Sequence, residues 1–181
     1  MTTVGFLELN SIAKGIQAAD AMCKAARVSL ITAKPSCPGK YHILISGEVS
    51  AVQSALKAGK NIASSYIIDE LMIPRIHQEV VDAINMATMP EDPKAIGILE
   101  YFSVAGSITG ADAAVKSSNV HIIELRLGTG IGGKSFVTLT GDVSAVETAV
   151  NNGAKTAEDS GLLVNKVVIA HPDKAVLKTL Y

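Results

Sequence analysis

The chain has 181 residues, 48% of them hydrophobic but only 4% aromatic, and carries a formal net charge of −1 from 16 basic and 17 acidic side chains. Acids and bases are interspersed, so there is no basic footprint for DNA or RNA, and no apolar run reaches the roughly 20 residues a membrane-spanning helix needs. The N-terminus lacks the basic stretch, apolar segment and cleavage site of a secretion signal, which predicts a cytoplasmic protein.

In chain order, residues 4–9 form a short apolar strand. Ile12, Ile16, Ala19, Cys23 and Ala26 then recur at intervals of three and four, which predicts a helix with one buried stripe and Ser11 as its N-cap. Cys23 falls on that stripe and is expected to act as a small core hydrophobe. β-Branched and aliphatic runs at 28–32 and 41–45 predict a strand hairpin, turned by Lys34-Pro35-Ser36-Cys37-Pro38-Gly39-Lys40. Pro35 and Pro38 restrict φ and remove two backbone donors, while Gly39 permits the turn. A helix over 49–62, a strand over 65–73 and a short helix over 77–84 complete this half.

Residues 89–93, Met89-Pro90-Glu91-Asp92-Pro93, carry two prolines and no periodicity and are expected to be a linker between domains at 1–88 and 94–181. Beyond it the pattern repeats: strand 96–101, a helix, strands 120–127 and 136–139, helix 143–157, strand 162–169 and a short helix 173–180. The repetition extends to residues. Val4-Gly5-Phe6-Leu7-Glu8 matches Ile96-Gly97-Ile98-Leu99-Glu100, and Ala19-Asp20-Ala21 with Lys24 matches Ala111-Asp112-Ala113 with Lys116. Gly39-Lys40 matches Gly133-Lys134, and Gly47-Glu48-Val49-Ser50-Ala51-Val52 matches Gly141-Asp142-Val143-Ser144-Ala145-Val146. The order β-α-β-β-α-β in each half predicts an α+β protein of two tandem ferredoxin-like domains, each an antiparallel sheet with helices on one face.

The halves disagree most in the hairpin loop, where Pro35-Ser36-Cys37-Pro38 stands against Gly128-Thr129-Gly130-Ile131-Gly132. Gly128 to Ser135 also satisfies G-x-x-x-x-G-K-[ST], the phosphate-binding loop of nucleotide hydrolases. That mechanism needs a helix starting at the Lys-Ser, and the residues after Ser135 have strand character, so a nucleotide-binding enzyme is the lesser alternative and no enzyme is expected. The two cysteines, Cys23 and Cys37, have no counterparts in the second half and make no disulfide framework. Asp20–Lys24 and Asp112–Lys116 are spaced for intrahelical ion pairs. His42 and His121 fall within expected strands, as structural residues.

Both halves resemble the shell-protein domain of bacterial microcompartments, through the Gly-Phe/Ile-Leu-Glu strand, Ala-Asp-Ala-x-x-Lys, the Gly-Lys hairpin and Gly-Glu/Asp-Val-Ser-Ala-Val. The resemblance implies a homotrimer of fused domains forming a pseudo-hexameric tile, located in a microcompartment shell, with other shell proteins as lateral partners and enclosed redox enzymes as further ones. It implies that the hairpin loops, through Ser36, Pro38, Gly39, Gly130 and Gly132, line a central pore. It assigns Lys24, Arg75, His77, Lys116 and His171 to the tile edge, with Pro74-Arg75-Ile76-His77 departing from the family motif at Ile76 and Ile169 standing for Arg75 in the second half. The Cys37 loop is similar to that of a tandem shell-protein type whose loop cysteine holds an iron-sulfur cluster. By this likeness Cys37 from three chains binds a shared 4Fe-4S cluster for electron or cluster transfer, with zinc as a competing metal and a metal-free metabolite pore as the structural alternative.

Overall fold

The computed structural model describes residues 2–90 and 93–180, so Glu91 and Asp92 of the expected linker lie outside the described residues. The first half runs β1 (Thr3–Leu9), α1 (Ile12–Ala25), β2 (Ser29–Ser36), β3 (Lys40–Gly47), α2 (Val49–Ala63), a 3-10 turn (Ser64–Tyr66) and β4 (Ile67–Ile73). After α3 (Gln78–Asn85) come β5 (Ala95–Tyr101), α4 (Val104–Ser117), β6 (Val120–Leu127), β7 (Ser135–Gly141), α5 (Val143–Glu158), β8 (Leu163–Ala170) and α6 (Lys174–Leu177). The sheets have the same order, β2-β3-β1-β4 and β6-β7-β5-β8, and every pairing is antiparallel. This is the α+β, ferredoxin-like arrangement the element order predicts.

Local chemistry explains the helix starts and packing. Ser11 Oγ accepts the Lys14 N–H at 3.3 Å and Ser103 Oγ accepts the Gly106 N–H at 3.0 Å, satisfying donors that the first turn leaves unpaired. The core of the first sheet and its helices gathers Leu7, Leu9, Met22, Tyr41, Ile43, Ile45 and Val52. In the second half, Tyr101 fills space above Gly110 and donates its hydroxyl to the Gly153 carbonyl at 3.1 Å. Burial pushes the Tyr101 phenol well above its ordinary value, so it stays a donor.

Four expectations change. The strand expected over 28–32 continues to Ser36, because the Pro35-bearing segment lies at a sheet edge, where a missing N–H costs no ladder bond. The buried stripe of α1 consists of Gly15, Ala18, Ala19 and Met22, and Cys23, Ile12 and Ile16 are exposed. The intervals were those of a helix, but the face that meets the sheet lies one residue round from the stripe chosen. The two compact units divide between Ile76 and His77, so α3 belongs with the second, where it packs on β6 and α4. Finally, α6 is a single turn ending at Leu177 rather than a helix to 180.

Candidate functional site

Each hairpin is held at its base by a carboxylate from the first strand of its sheet. In the first domain Glu8 is buried, its Oε1 3.0 Å from Lys40 Nζ and 2.9 Å from His42 Nε2. Burial alone would push the Glu8 carboxyl up. The hydrogen bonds from His42 and Lys40, with their charges, more than offset it and hold the group below its ordinary value. Phe6 packs edge-to-face on His42 with ring centroids 5.5 Å apart. In the second domain Lys134 pairs with Glu100, Phe136 stands where His42 does, and the Arg126 guanidinium lies 5.3 Å from the Phe136 ring centroid.

At the tip of the first hairpin, Ser36 opposes Lys40, and Cys37, Pro38 and Gly39 make the turn. Gly39 adopts φ +89° and donates its N–H to the Ser36 carbonyl at 2.9 Å. The Cys37–Pro38 peptide is cis. Cys37 is half-buried, Pro38 and Gly39 are exposed, and Ser36 is buried with an Oγ that has no partner among the described residues. The result is a thiol at the end of an anchored hairpin. Among the described residues no three His, Cys, Asp or Glu side chains of one chain gather as a metal site. The donor set fits a metal only if several chains contribute.

The second hairpin has the same place and a different composition. Gly130 and Gly132 have φ of +77° and +66°, and a Cβ on either would meet nothing within 4 Å. Ser135 opens β7 rather than a helix, and its hydroxyl donates to the Ser103 carbonyl at 2.9 Å. With Lys134 held by Glu100 and no helix N-terminus behind the loop, the phosphate-binding motif lacks its mechanism.

The residues assigned to the tile edge fall on both compact units. Lys24 pairs with Asp20 at 2.7 Å on exposed α1, and Lys116 pairs with Asp112 at 2.6 Å on α4. Asp112 also accepts the His77 N–H at 2.8 Å. Arg75 and His171 are equivalent positions, because Val4 pairs with Ile73 and its counterpart Ile96 with Ile169. Both follow the last strand with positive φ, +57° and +53°. His171 therefore stands in the place of Arg75, and His77 corresponds to Asp173, each the N-cap of the short helix that follows. The expected equivalence of Ile169 with Arg75 is therefore corrected, because the last strand of the second domain is displaced by two further residues. Sequence reasoning also missed Glu8 and Glu100 as anchors. The signal was available: an acidic residue in the same place of an otherwise apolar strand, in both halves.

The BMC domain model matches residues 3–76 and 95–172. This chain belongs to the family of bacterial microcompartment shell proteins. It is 42% identical to the microcompartment shell protein PduT of Citrobacter freundii, over 98% of this chain and 96% of that one. The carboxysome shell protein CcmK2 of Synechococcus elongatus is 33% identical over 42% of this chain and 79% of its own length, matching one half of the tandem. A crystal structure of a microcompartment protein from Desulfitobacterium hafniense superposes with a TM-score of 0.94 at 51% identity, covering 98% of this chain and 99% of that one. The fused permuted hexameric shell protein of the RMM microcompartment shares the fold alone, with a TM-score of 0.65 at 16% identity over 87% and 84% of the two chains. As a tandem BMC-domain shell protein the chain is structural, not an enzyme. No helix among its described residues is long and apolar enough to cross a membrane.

Proposed function

We propose that three copies of this shell protein form a pseudo-hexameric tile in which the six hairpins surround a central pore, and that Cys37 from each copy holds an iron-sulfur cluster on the axis. The observation that carries the reading is the inequality of the two hairpins. Glu8 and Glu100 anchor both in the same way, yet only the first ends in a thiol, which is half-exposed and has no metal-binding companions among the described residues of its own chain. A homotrimer supplies three thiolates at one point and leaves one iron of a 4Fe-4S cluster open to water or an exogenous group. When bound, the cluster supplies one-electron chemistry, which suits transfer of electrons, or of the cluster itself, across the shell to enclosed redox enzymes. The chain's own contribution is positional: Glu8, Lys40 and His42 fix the hairpin base, and Pro35 and Gly39 shape the approach to Cys37. Lys24, Arg75, His77, Lys116 and His171 would then lie toward the perimeter, where neighbouring shell proteins meet the tile.

Anaerobic reconstitution of wild type and Cys37→Ala, followed by metal analysis and electron paramagnetic resonance, tests the assignment. The expected result is iron, sulfide and visible absorbance in the wild type and their loss in the variant, with the trimer intact. Zinc in place of iron, or equal iron in both proteins, would refute it and leave a structural tile with a metabolite pore.

A further inference from the structure

We infer that the Ser36 hydroxyl tunes the Cys37 site, as a hydrogen-bond donor to a sulfur of the cluster held there; the inference rests on the cluster proposed above. Its ground is a donor without an acceptor. Ser36 is 5% exposed, and its Oγ has no hydrogen-bond partner among the described residues. Leaving a buried hydroxyl unpaired costs about 1–3 kcal/mol, so native structures nearly always provide a partner. The Ser36 carbonyl already takes the Gly39 N–H. Lys40 stands directly opposite Ser36 across the strand pair and shares its face of the sheet, but its Nζ is directed to Glu8, as is Nε2 of His42, the next residue along that face. The acceptor is missing from a single chain, one residue away from a thiol that also lacks companions there.

The second hairpin serves as an internal control. Lys34 pairs with His42 as Arg126 pairs with Phe136, so the position two residues on, Ser36 in the first hairpin, is Gly128 in the second. Gly128 has φ of +67° and no side chain. The hydroxyl therefore occurs in the hairpin that has the thiol and is absent from the one that lacks it, although Glu8–Lys40 and Glu100–Lys134 anchor the two alike. A hydroxyl needed by the shared framework would stand in both.

Thiolate and sulfide sulfurs accept hydrogen bonds, and such bonds are one of the levers a protein has on the reduction potential of an iron-sulfur group. One-electron reduction adds negative charge to those sulfurs. An O–H donor therefore favours the reduced form and raises the midpoint potential, with no proton leaving Ser36. A trimer carries three such hydroxyls, one for each Cys37 thiolate. Ser36 acts through this donation alone and is a positioning and tuning residue, not a ligand.

The test uses full-length wild type, Ser36→Ala and Ser36→Thr, each reconstituted anaerobically with iron and sulfide. Each is titrated with dithionite in the presence of redox mediators, followed by electron paramagnetic resonance, and measured by electron–nuclear double resonance after exchange into deuterium oxide. Ser36→Ala is expected to bind as much iron and sulfide per chain as wild type, to be reduced at a lower potential and to lose an exchangeable deuteron coupling. Ser36→Thr, which keeps the hydroxyl, is expected to titrate with wild type. Equal potentials and couplings in wild type and Ser36→Ala would overturn the role of Ser36 and leave the cluster standing. Equal shifts in Ser36→Ala and Ser36→Thr would do the same, because they would mark altered packing and not a lost donor. A wild-type protein that takes up no iron and sulfide overturns cluster and donor together.

Discussion

His42 Nε2 lies 2.9 Å from Glu8 Oε1, and this buried pair joins the first strand to the base of the hairpin that ends at Cys37. Its pH response has a definite sign. The Glu8 carboxyl is held below its ordinary 4.5 by its partners, so the stability it contributes is present in full above that value and lost as the pH falls through its folded-state value. Glu8→Gln should flatten the acid limb of the melting temperature against pH. Glu8→Ala, which leaves His42 and Lys40 without their shared acceptor, should cost roughly 3 kcal/mol near neutral pH. An acid limb of unchanged slope in Glu8→Gln would show that other carboxylates govern it.

The approach of α4 to α5 depends on glycine. A Cβ on Gly153 would meet the Gly110 carbonyl oxygen at 3.0 Å and Leu99 Cδ1 at 2.6 Å. The first is backbone and cannot turn aside. Gly153→Ala should therefore destabilise the protein by about 1–3 kcal/mol, seen as a lower chemical-denaturation midpoint with the slope retained. Trimming Leu99 to Val should restore only part of the loss. Full rescue by Leu99→Val would mean that the helix backbones have room to separate.

Lys24 and Lys116 distinguish helix stability from lateral assembly. Each closes an i, i+4 pair with an aspartate, and such pairs contribute a few tenths of a kcal/mol when exposed. Lys24→Ala, whose pair is exposed, should melt within about 2 °C of wild type, whereas Lys116→Ala, which leaves the buried Asp112 carboxylate with the His77 N–H as its remaining partner, should cost about 1–3 kcal/mol. If these lysines sit at the tile edge, the double variant should keep its sedimentation coefficient while forming fewer and smaller sheets in negative-stain micrographs. Sheets of normal extent would remove both lysines from the edge.

The architecture was legible because both halves carry the same periodicities, and the repeat supplied two independent views of each element. Helices and strands of the second half were placed within a residue or two at most boundaries, apart from α6. Reading failed where burial depends on what covers a surface. The stripe through Ile12, Ile16 and Cys23 has helical spacing, yet those residues are exposed in the first domain while Val104, Ile108 and Val115 are buried in the second. One sequence pattern, two environments: no rule acting on a single segment can separate them. The tail alignment failed for a related reason. A histidine recurs in both halves, but strand register makes His171 the counterpart of Arg75, and identity alone misleads where the intervening length has changed. The thiol of Cys37 was visible at once as an asymmetry between repeats, whereas the Glu8–Lys40–His42 anchor beneath it required three strands to be in place.

The two hairpins occupy one position in sheets of identical order, and a single polypeptide carries both. A ring built from one-domain subunits has no comparable freedom, since any residue placed in its loop recurs at every vertex. Fusion halves that recurrence. In the tile proposed above, a bulky or reactive side chain can enter one loop while glycines such as Gly130 and Gly132 keep the other slender, so selection would act on alternate vertices separately.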